Sequence, residues 1–190
     1  MITVSRKQFT LEEYNRLTEL GFFESGERVE LIRGDIITMA AKRTFHSVCN
    51  SLLLEELYIL LRGKANIRGQ EPIIIHPNSQ PEPDVVIARK KEDNYLSSHP
   101  QVEDILLIIE IADSTLRFDR EVKLSLYAEA GINDFWLFNL IDNQLETYNQ
   151  PYQASNRKYN YRSQQIYLPN DIISIPHFSD IVLALEKFFF

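Results

Sequence analysis

Apolar residues along this chain switch between a helical and a strand-like spacing, and the switches mark its elements. Thr10-Leu11-Glu12-Glu13 is a capping box, with Phe9 and Tyr14 spaced as a hydrophobic staple. A helix is expected from there to about Leu20, closed by Gly21. Residues 1–8 carry no pattern. Arg28-Val29-Glu30-Leu31-Ile32 and Asp35-Ile36-Ile37-Thr38-Met39 flank Arg33-Gly34 and read as a β-hairpin. Glu30 alternates with Val29 and Leu31, so it points away from them; the plain reading of such a residue on an amphipathic hairpin is that it faces solvent. From about His46 to Leu61 the apolar residues are dense enough for a mostly buried helix, ended by Gly63. Ala65 to Ile75 reads as a strand, or two short strands broken at Pro72, with Gln70 and Glu71 near its middle.

His76 to Pro81 is turn material, and Asp84 to Ala88 is the next strand. Arg89 to Gln101 is a polar loop. Asp104 to Ile111 is almost continuously apolar, the mark of a strand buried on both faces. After a loop from Ala112 to Phe118, Asp119 is placed as the N-cap of a helix through Ala130, with Gly131 closing it. Asp134 to Asn139 and Leu145 to Tyr148 are further strands around an Asp142-Asn143 turn. Residues 150–165 are rich in Tyr and Asn and read as hairpins or a sheet edge. Asp171 to Ile175 is a late strand. The apolar end from Leu183 to Phe190 must be covered, either by the body or by a second subunit. The order helix, hairpin, helix, strands, helix, strand, strands predicts a mixed α/β or α+β sheet flanked by helices. No repeat or linker interrupts it, so residues 1–190 are expected to be one domain.

Composition narrows the function classes. One cysteine, Cys49, excludes a disulfide framework and a cysteine-rich zinc site, and its apolar helical setting reads as core. No apolar run reaches transmembrane length and no signal pattern opens the chain, so no membrane role is expected and a cytoplasmic location is. The formal net charge of −7 argues against coating nucleic acid by charge alone. It leaves room for an enzyme acting on nucleic acid, because a cluster of acidic metal ligands is negative until a metal binds.

The candidate chemistry lies between Pro81 and Lys123. Asp84 opens one apolar segment and Glu110 closes the next, and Lys123 follows in the helix beyond. An ionised carboxylate buried without a partner costs several kcal/mol or more. Glu110 is therefore at the sheet's rim, or paired, or on a metal. Two carboxylates at neighbouring strand ends make a hard-oxygen site suited to Mg²⁺ or Mn²⁺. Such a metal lowers the pKa of a bound water and neutralises charge on a phosphodiester, and a nearby ammonium orients water or balances developing charge. Asp119, Lys123 and Tyr127 share a helix face by their spacing. No glycine-rich phosphate loop, His-Glu-x-x-His pair or Gly-x-Ser-x-Gly elbow is present.

Several further stretches come in order: Glu30-Leu31-Ile32-x-Gly34, His46 opening a helix, Pro83-Asp84-Val85, Ile109-Glu110-Ile111, Lys123-x-x-x-Tyr127-x-x-x-Gly131 and Phe135-Trp136-Leu137. Together they resemble the Uma-type family of restriction endonucleases, a branch of the PD-(D/E)XK nuclease superfamily, over roughly residues 10 to 185. The resemblance implies a restriction-endonuclease-like αβββαβ core, Mg²⁺ dependence and cleavage of phosphodiester bonds, with DNA as the partner. Asp84 matches the motif aspartate and Glu110 the acid of the third strand, the two metal ligands. The superfamily's lysine stands two residues after that acid, where this chain has Ala112. In the Uma-type branch the following helix supplies it, and Lys123 stands in that place. Glu30, Gln70, His46 and Tyr127 match supporting positions.

Plainer readings stand beside these. Asp84 after Pro83 can start a strand with a turn hydrogen bond, Glu110 can pair with Lys123 and no metal, and His46 can simply pack its ring. Lys42-Arg43 and Lys90-Lys91 can be solvated or touch phosphates. The tyrosines near 148–167 can stack bases or form an edge. A second class of function is a binding or regulatory module that keeps the nuclease fold without turnover. A third is an assembly protein whose Phe188-Phe189-Phe190 end is buried in a homodimer.

Overall fold

The computed structural model describes residues 6–24, 26–155 and 157–190. Positions 1–5, at the start of the unpatterned segment, and position 156 in the tyrosine-rich span lie outside the described residues. Helix α1 (Leu11–Glu19) carries the expected cap: Glu13 N donates to Thr10 Oγ1, and Thr10 N donates to the Glu13 carboxylate. Strands β1 (Val29–Ile32) and β2 (Asp35–Thr38) form the hairpin. Arg33 and Gly34 both take positive φ, 49° and 84°, as a two-residue primed turn requires. Helix α2 (Thr44–Leu60) leads to β3 (Ala65–Gly69), β4 (Val85–Arg89) and β5 (Ile105–Ala112).

The connection out of β5 departs from the sequence reading. Asp119 does not cap a helix there. Helical structure begins one turn earlier, with α3 (Leu116–Phe118) capped at Thr115, a π-helical turn (Asp119–Lys123), and α4 (Leu124–Glu129). The cause lies in packing. Leu116 and Val122 reach the sheet's apolar face and draw the helix back toward β5. The Asp119 carboxylate turns inward and accepts from Thr115 Oγ1 at 2.6 Å. Gly131 ends the helix at φ +79°. Then come β6 (Asp134–Asn139), β7 (Gln144–Gln153), β8 (Tyr159–Tyr167), β9 (Ile172–Ile175), β10 (Phe178–Ala184) and a final 3-10 turn (Leu185–Phe188).

Strands β3 to β8 lie side by side in sequence order. Only β5 and β6 are parallel, joined by the helical crossover; the other neighbours are antiparallel. The expected αβββαβ core is α2, β3, β4, β5, the crossover and β6. Alternate residues of β5 feed two apolar layers, which is why its sequence is apolar throughout. Leu107, Ile109 and Ile111 meet Cys49, Leu53 and Leu57 of α2, with Ile175 and Leu183 from the β9–β10 ribbon. Ile108 and Ala112 face the other way, onto Leu124, Tyr127 and Ala128 of α4.

The apolar C-terminal end is covered by the body as far as Phe189, while Phe190 stays exposed. Phe188 is buried edge-on to Phe138 at 5.7 Å, and Phe189 stacks on the same ring at 5.8 Å. Tyr148 and Tyr161 are also buried, stacked against Phe135 on the α4 face, so they are not an exposed stacking platform.

Glu146 of β7 is buried on that same face, a feature the sequence reading did not single out. Arg120 of the π turn donates to both its oxygens, as Nε to Oε2 at 3.1 Å and as Nη2 to Oε1. Tyr148 Oη adds a bond of 2.7 Å, and Asn139 and Gln144 donate at 2.8 and 3.1 Å. Burial pushes this carboxyl up, but the bonds from Arg120, Tyr148, Asn139 and Gln144 outweigh it and hold its pKa down at about 2. The cluster pins the crossover to the far half of the sheet. Glu146→Ala should lower unfolding free energy by about 2–3 kcal/mol, the usual scale for charge-assisted bonds lost in a buried site. Its contribution is full above the unfolded carboxylate's pKa and is lost as pH falls toward 2. Urea melts between pH 7 and pH 2.5 should therefore converge for wild type and Glu146→Gln in acid; a constant gap would count against the network.

Candidate active site

The β4–β5 register sets Val85 opposite Ile109. Continued by one residue it sets Asp84 opposite Glu110, and directly opposed residues in an antiparallel pair project from one face. That face is covered by the crossover helix. Lys123 Nζ donates to Glu110 Oε1 at 3.0 Å, and Tyr127 Oη donates to the same oxygen at 2.6 Å. Glu110 is therefore paired, and it lies deep rather than at the rim. Asp84 Oδ2 accepts from Ile111 N at 2.9 Å and lies 3.1 Å from His46 Nε2. Gln70 Nε2 reaches Asp84 Oδ1 at 3.4 Å.

Glu30 is not solvent-facing. The hairpin is held against the body by paired bonds between Leu31 and Gln80, and Tyr14 Oη of α1 caps Val29 O. Both its sides are therefore covered, and the side carrying Glu30 closes over the site. Glu30 Oε2 accepts from Glu82 N at 3.2 Å and stands 3.6 Å from Lys123 Nζ. The seven residues singled out from sequence thus fall into two adjoining groups, Asp84 with His46 and Gln70, and Glu110 with Lys123, Glu30 and Tyr127. Tyr127 and Gln70 make their bonds from outside the cavity lining. Lys90 and Lys91 lie elsewhere, Lys91 paired with Asp104 at 2.9 Å.

The charges do not balance. Glu30 and Glu110 are each 2% exposed, Asp119 4% and Asp84 8%, around one buried ammonium, Lys123, at 5%. Burial pushes Glu110 up to about 8 against the pull of Lys123, with Asp84 adding to the rise. Burial likewise lifts Asp119 to about 6. Asp84 goes the other way: burial raises it, but His46, Lys123 and the Ile111 N–H together bring it below the usual aspartate range. Burial alone would lower Lys123, but Glu110, Glu30, Asp119 and Asp84 hold it charged well above the usual lysine range. Tyr127, raised by burial and by Glu110, stays a neutral donor.

Glu30, His46, Asp84, Glu110, Asp119 and Lys123 line a cavity of about 520 Å³ with Lys42, Arg43, Asp113, Thr115 and Arg117. Arg43 and Asp113, 3.4 Å apart, face each other from its two rim loops. The donor set suits a hard divalent cation. Both bonds to Glu110 fall on Oε1, leaving Oε2 without a partner among the described residues, and Asp84 Oδ1 has only the long Gln70 contact. Two carboxylates are enough for Mg²⁺, which keeps several waters. No group of three His, Cys, Asp or Glu side chains gathers as a ligand set among the described residues.

The family described as "Putative restriction endonuclease", Uma2, matches residues 11–186. This chain belongs to the Uma2 family. The match spans all seven residues picked out from sequence. A crystal structure of "a putative nuclease belonging to DUF820" from Anabaena variabilis ATCC 29413 is similar over 95% of this chain and 97% of that one, with a TM-score of 0.72 at 16% identity. At that identity the likeness speaks for the fold, a mixed sheet flanked by helices as in a nuclease-like neighbour. No curated protein matches the chain. No helix among the described residues is long and apolar enough to cross a membrane.

Sequence reasoning missed Asp119 as a buried acid, although the Asp119-x-x-x-Lys123 spacing was visible. It gave no place to Asp113, which lies just past the Glu110 strand. In metal-free protein the Glu110 carboxyl keeps its proton between pH 4.5 and about 8 when folded and loses it when unfolded. The unfolded state then binds fewer protons, so stability falls as pH rises through that window. Glu110→Gln should remove most of that slope, on the order of 2–4 kcal/mol between pH 4.5 and 8. Chemical denaturation in EDTA across the window checks this; an unchanged slope would place the titration elsewhere.

Proposed function

We propose that this chain is a divalent-metal-dependent endonuclease that hydrolyses phosphodiester bonds, with DNA as substrate. The observation that carries the reading is the convergence of Asp84, Glu110 and Lys123 on one cavity floored by more buried acid than buried base. Membership of the Uma2 family supports it. Asp84 and Glu110 would hold Mg²⁺ or Mn²⁺, which when bound supplies a water of lowered pKa and neutralises charge at the phosphate.

The chain's own groups have distinct tasks. Asp84 is ionised at neutral pH and ready to bind a cation. His46 and the Ile111 N–H fix one of its oxygens, and Gln70 steadies the other. Tyr127 fixes Oε1 of Glu110 and leaves Oε2 to the cavity. Lys123 is held too strongly charged to take a proton from water, so it acts as a donor and a positive charge against the developing phosphorane. Glu30 holds that ammonium from the other side.

Asp84→Ala and Lys123→Met should each reduce Mn²⁺-dependent cleavage of plasmid DNA at least about 100-fold, the scale of losing one charge-stabilising group. Circular dichroism of both variants would show that they remain folded. Cleavage that survives both substitutions would dispose of the assignment. One observation favours the second reading, a module without turnover: Lys123 already bridges Glu110 and Glu30, so the site is partly neutralised with no metal. Metal titration separates the two. A nuclease should gain about 3 kcal/mol of stability at 100 times the metal's Kd, and Glu110→Ala should lose that gain. No thermal shift at millimolar Mn²⁺ favours the module.

A further inference from the structure

A substrate strand carries negative charge into a cavity whose floor is acidic, in a chain of net charge −7. Lys123 cannot supply the attraction alone, because Glu30 stands 3.6 Å from its ammonium and Asp84 adds further negative charge around it. Among the other basic side chains lining the cavity, Arg117 is paired with Glu121, His46 with Asp84, and Arg43 with Asp113. Lys42 is different. It lines the cavity half-buried, and among the described residues it makes no hydrogen bond or ion pair. Burial pulls its ammonium's pKa down and Arg28 adds to that, against the opposing pull of Asp84 and Glu82, so it is a cation kept partly dry with no carboxylate bonded to it.

Lys42 is also next to an open helix end. The 17-residue α2 has Arg43 as N-cap, no side chain bonding its first N–H groups and no acid in its first turn. His46 in that turn is nine-tenths buried, lines the same cavity, and leaves Nδ1 without a partner. Free N–H groups at a long helix's start favour an anion. Lys42 directly precedes that N-cap in the chain, and Lys42, Arg43 and His46 all line the cavity.

We propose that Lys42 and the first turn of α2 form a phosphate subsite that holds a backbone phosphate neighbouring the one to be cut. This rests on the nuclease reading above for the identity of the strand, though not on turnover. Lys42 is a positioning residue in this scheme: it sets where the strand lies, while Asp84, Glu110 and Lys123 face the scissile phosphate. The cavity, within the roughly 300–1,000 Å³ of small-molecule sites, has room for such a segment of a single strand.

The test is binding of an end-labelled single-stranded DNA oligonucleotide in EDTA, read by fluorescence anisotropy over a salt series with no cleavage possible. Lys42→Ala should weaken binding roughly tenfold, as for a lost charge-assisted contact. It should also lower the salt slope by about 0.7, one phosphate contact on a single strand. Lys42→Arg should keep the slope, and Lys90→Ala, an exposed lysine outside the cavity, should behave as wild type. Unchanged affinity and slope in Lys42→Ala overturn the subsite. So does an arginine variant as weak as the alanine one, or wild type that binds no oligonucleotide. Cleavage in Mn²⁺ is measured in parallel. Absent cleavage with Lys42-dependent binding removes the nuclease reading and leaves the subsite standing; Mn²⁺-dependent cleavage with an indifferent Lys42→Ala does the reverse.

Discussion

Four buried carboxylates share one buried ammonium in this fold, and most of the remaining architecture follows from keeping that arrangement tolerable. Lys123 alone cannot neutralise Glu30, Glu110, Asp84 and Asp119. The protein meets the excess in three ways. It supplies donors, with Tyr127 on Glu110, Thr115 on Asp119, and His46 and a backbone N–H on Asp84. It lets Glu110 and Asp119 keep protons to unusually high pH. And it opens the acids onto a cavity where a cation can join them. A site meant only for stability gains nothing from this, since apolar residues of similar volume serve as well or better. Perturbed carboxyls gathered in a cleft are the pattern of a site built for chemistry.

The fold delivers the acids by simple means. Strand β5 is apolar on both faces and buried in the sheet, so its C-terminal end is a rigid platform. Antiparallel pairing with β4 puts Asp84 opposite Glu110, and the parallel step to β6 requires a crossover that returns across the same face. The crossover contains a π turn, in which Leu124 N bonds to Asp119 O, five residues back. The extra residue lets one short helical stretch point Lys123 at Glu110 and Arg120 at Glu146. Such turns recur at functional sites because they re-aim side chains without breaking the helix. The Glu146 cluster then holds the crossover in place from outside the cavity.

Much of this was legible beforehand. The Thr10–Glu13 box, the Arg33-Gly34 turn, the apolar density of α2 and the bare apolar run of β5 are local signals, read from neighbours a few residues apart. The spacing of Asp84, Glu110 and Lys123 became informative because each sits at the edge of such an element. Asp119 and Glu30 were read differently because local rules point the wrong way. An aspartate after a loop is a good N-cap, and a glutamate alternating with valine and leucine faces water, unless something else covers that side. Glu146 was passed over, although Tyr148 two residues later shares its face, and burial of that tyrosine carries Glu146 inward.

By itself the sequence determined the kinds and order of the elements, the two-faced burial of β5, and which acids and which lysine to watch. These depend on periodicity and on backbone chemistry that operates within a few residues. Only the tertiary structure decided which carboxylates lose water. That depends on what packs across them from distant parts of the chain: the hairpin over Glu30, the crossover over Glu110, and α2 against Asp84. Desolvation is set by every group that excludes solvent, and no local pattern encodes it.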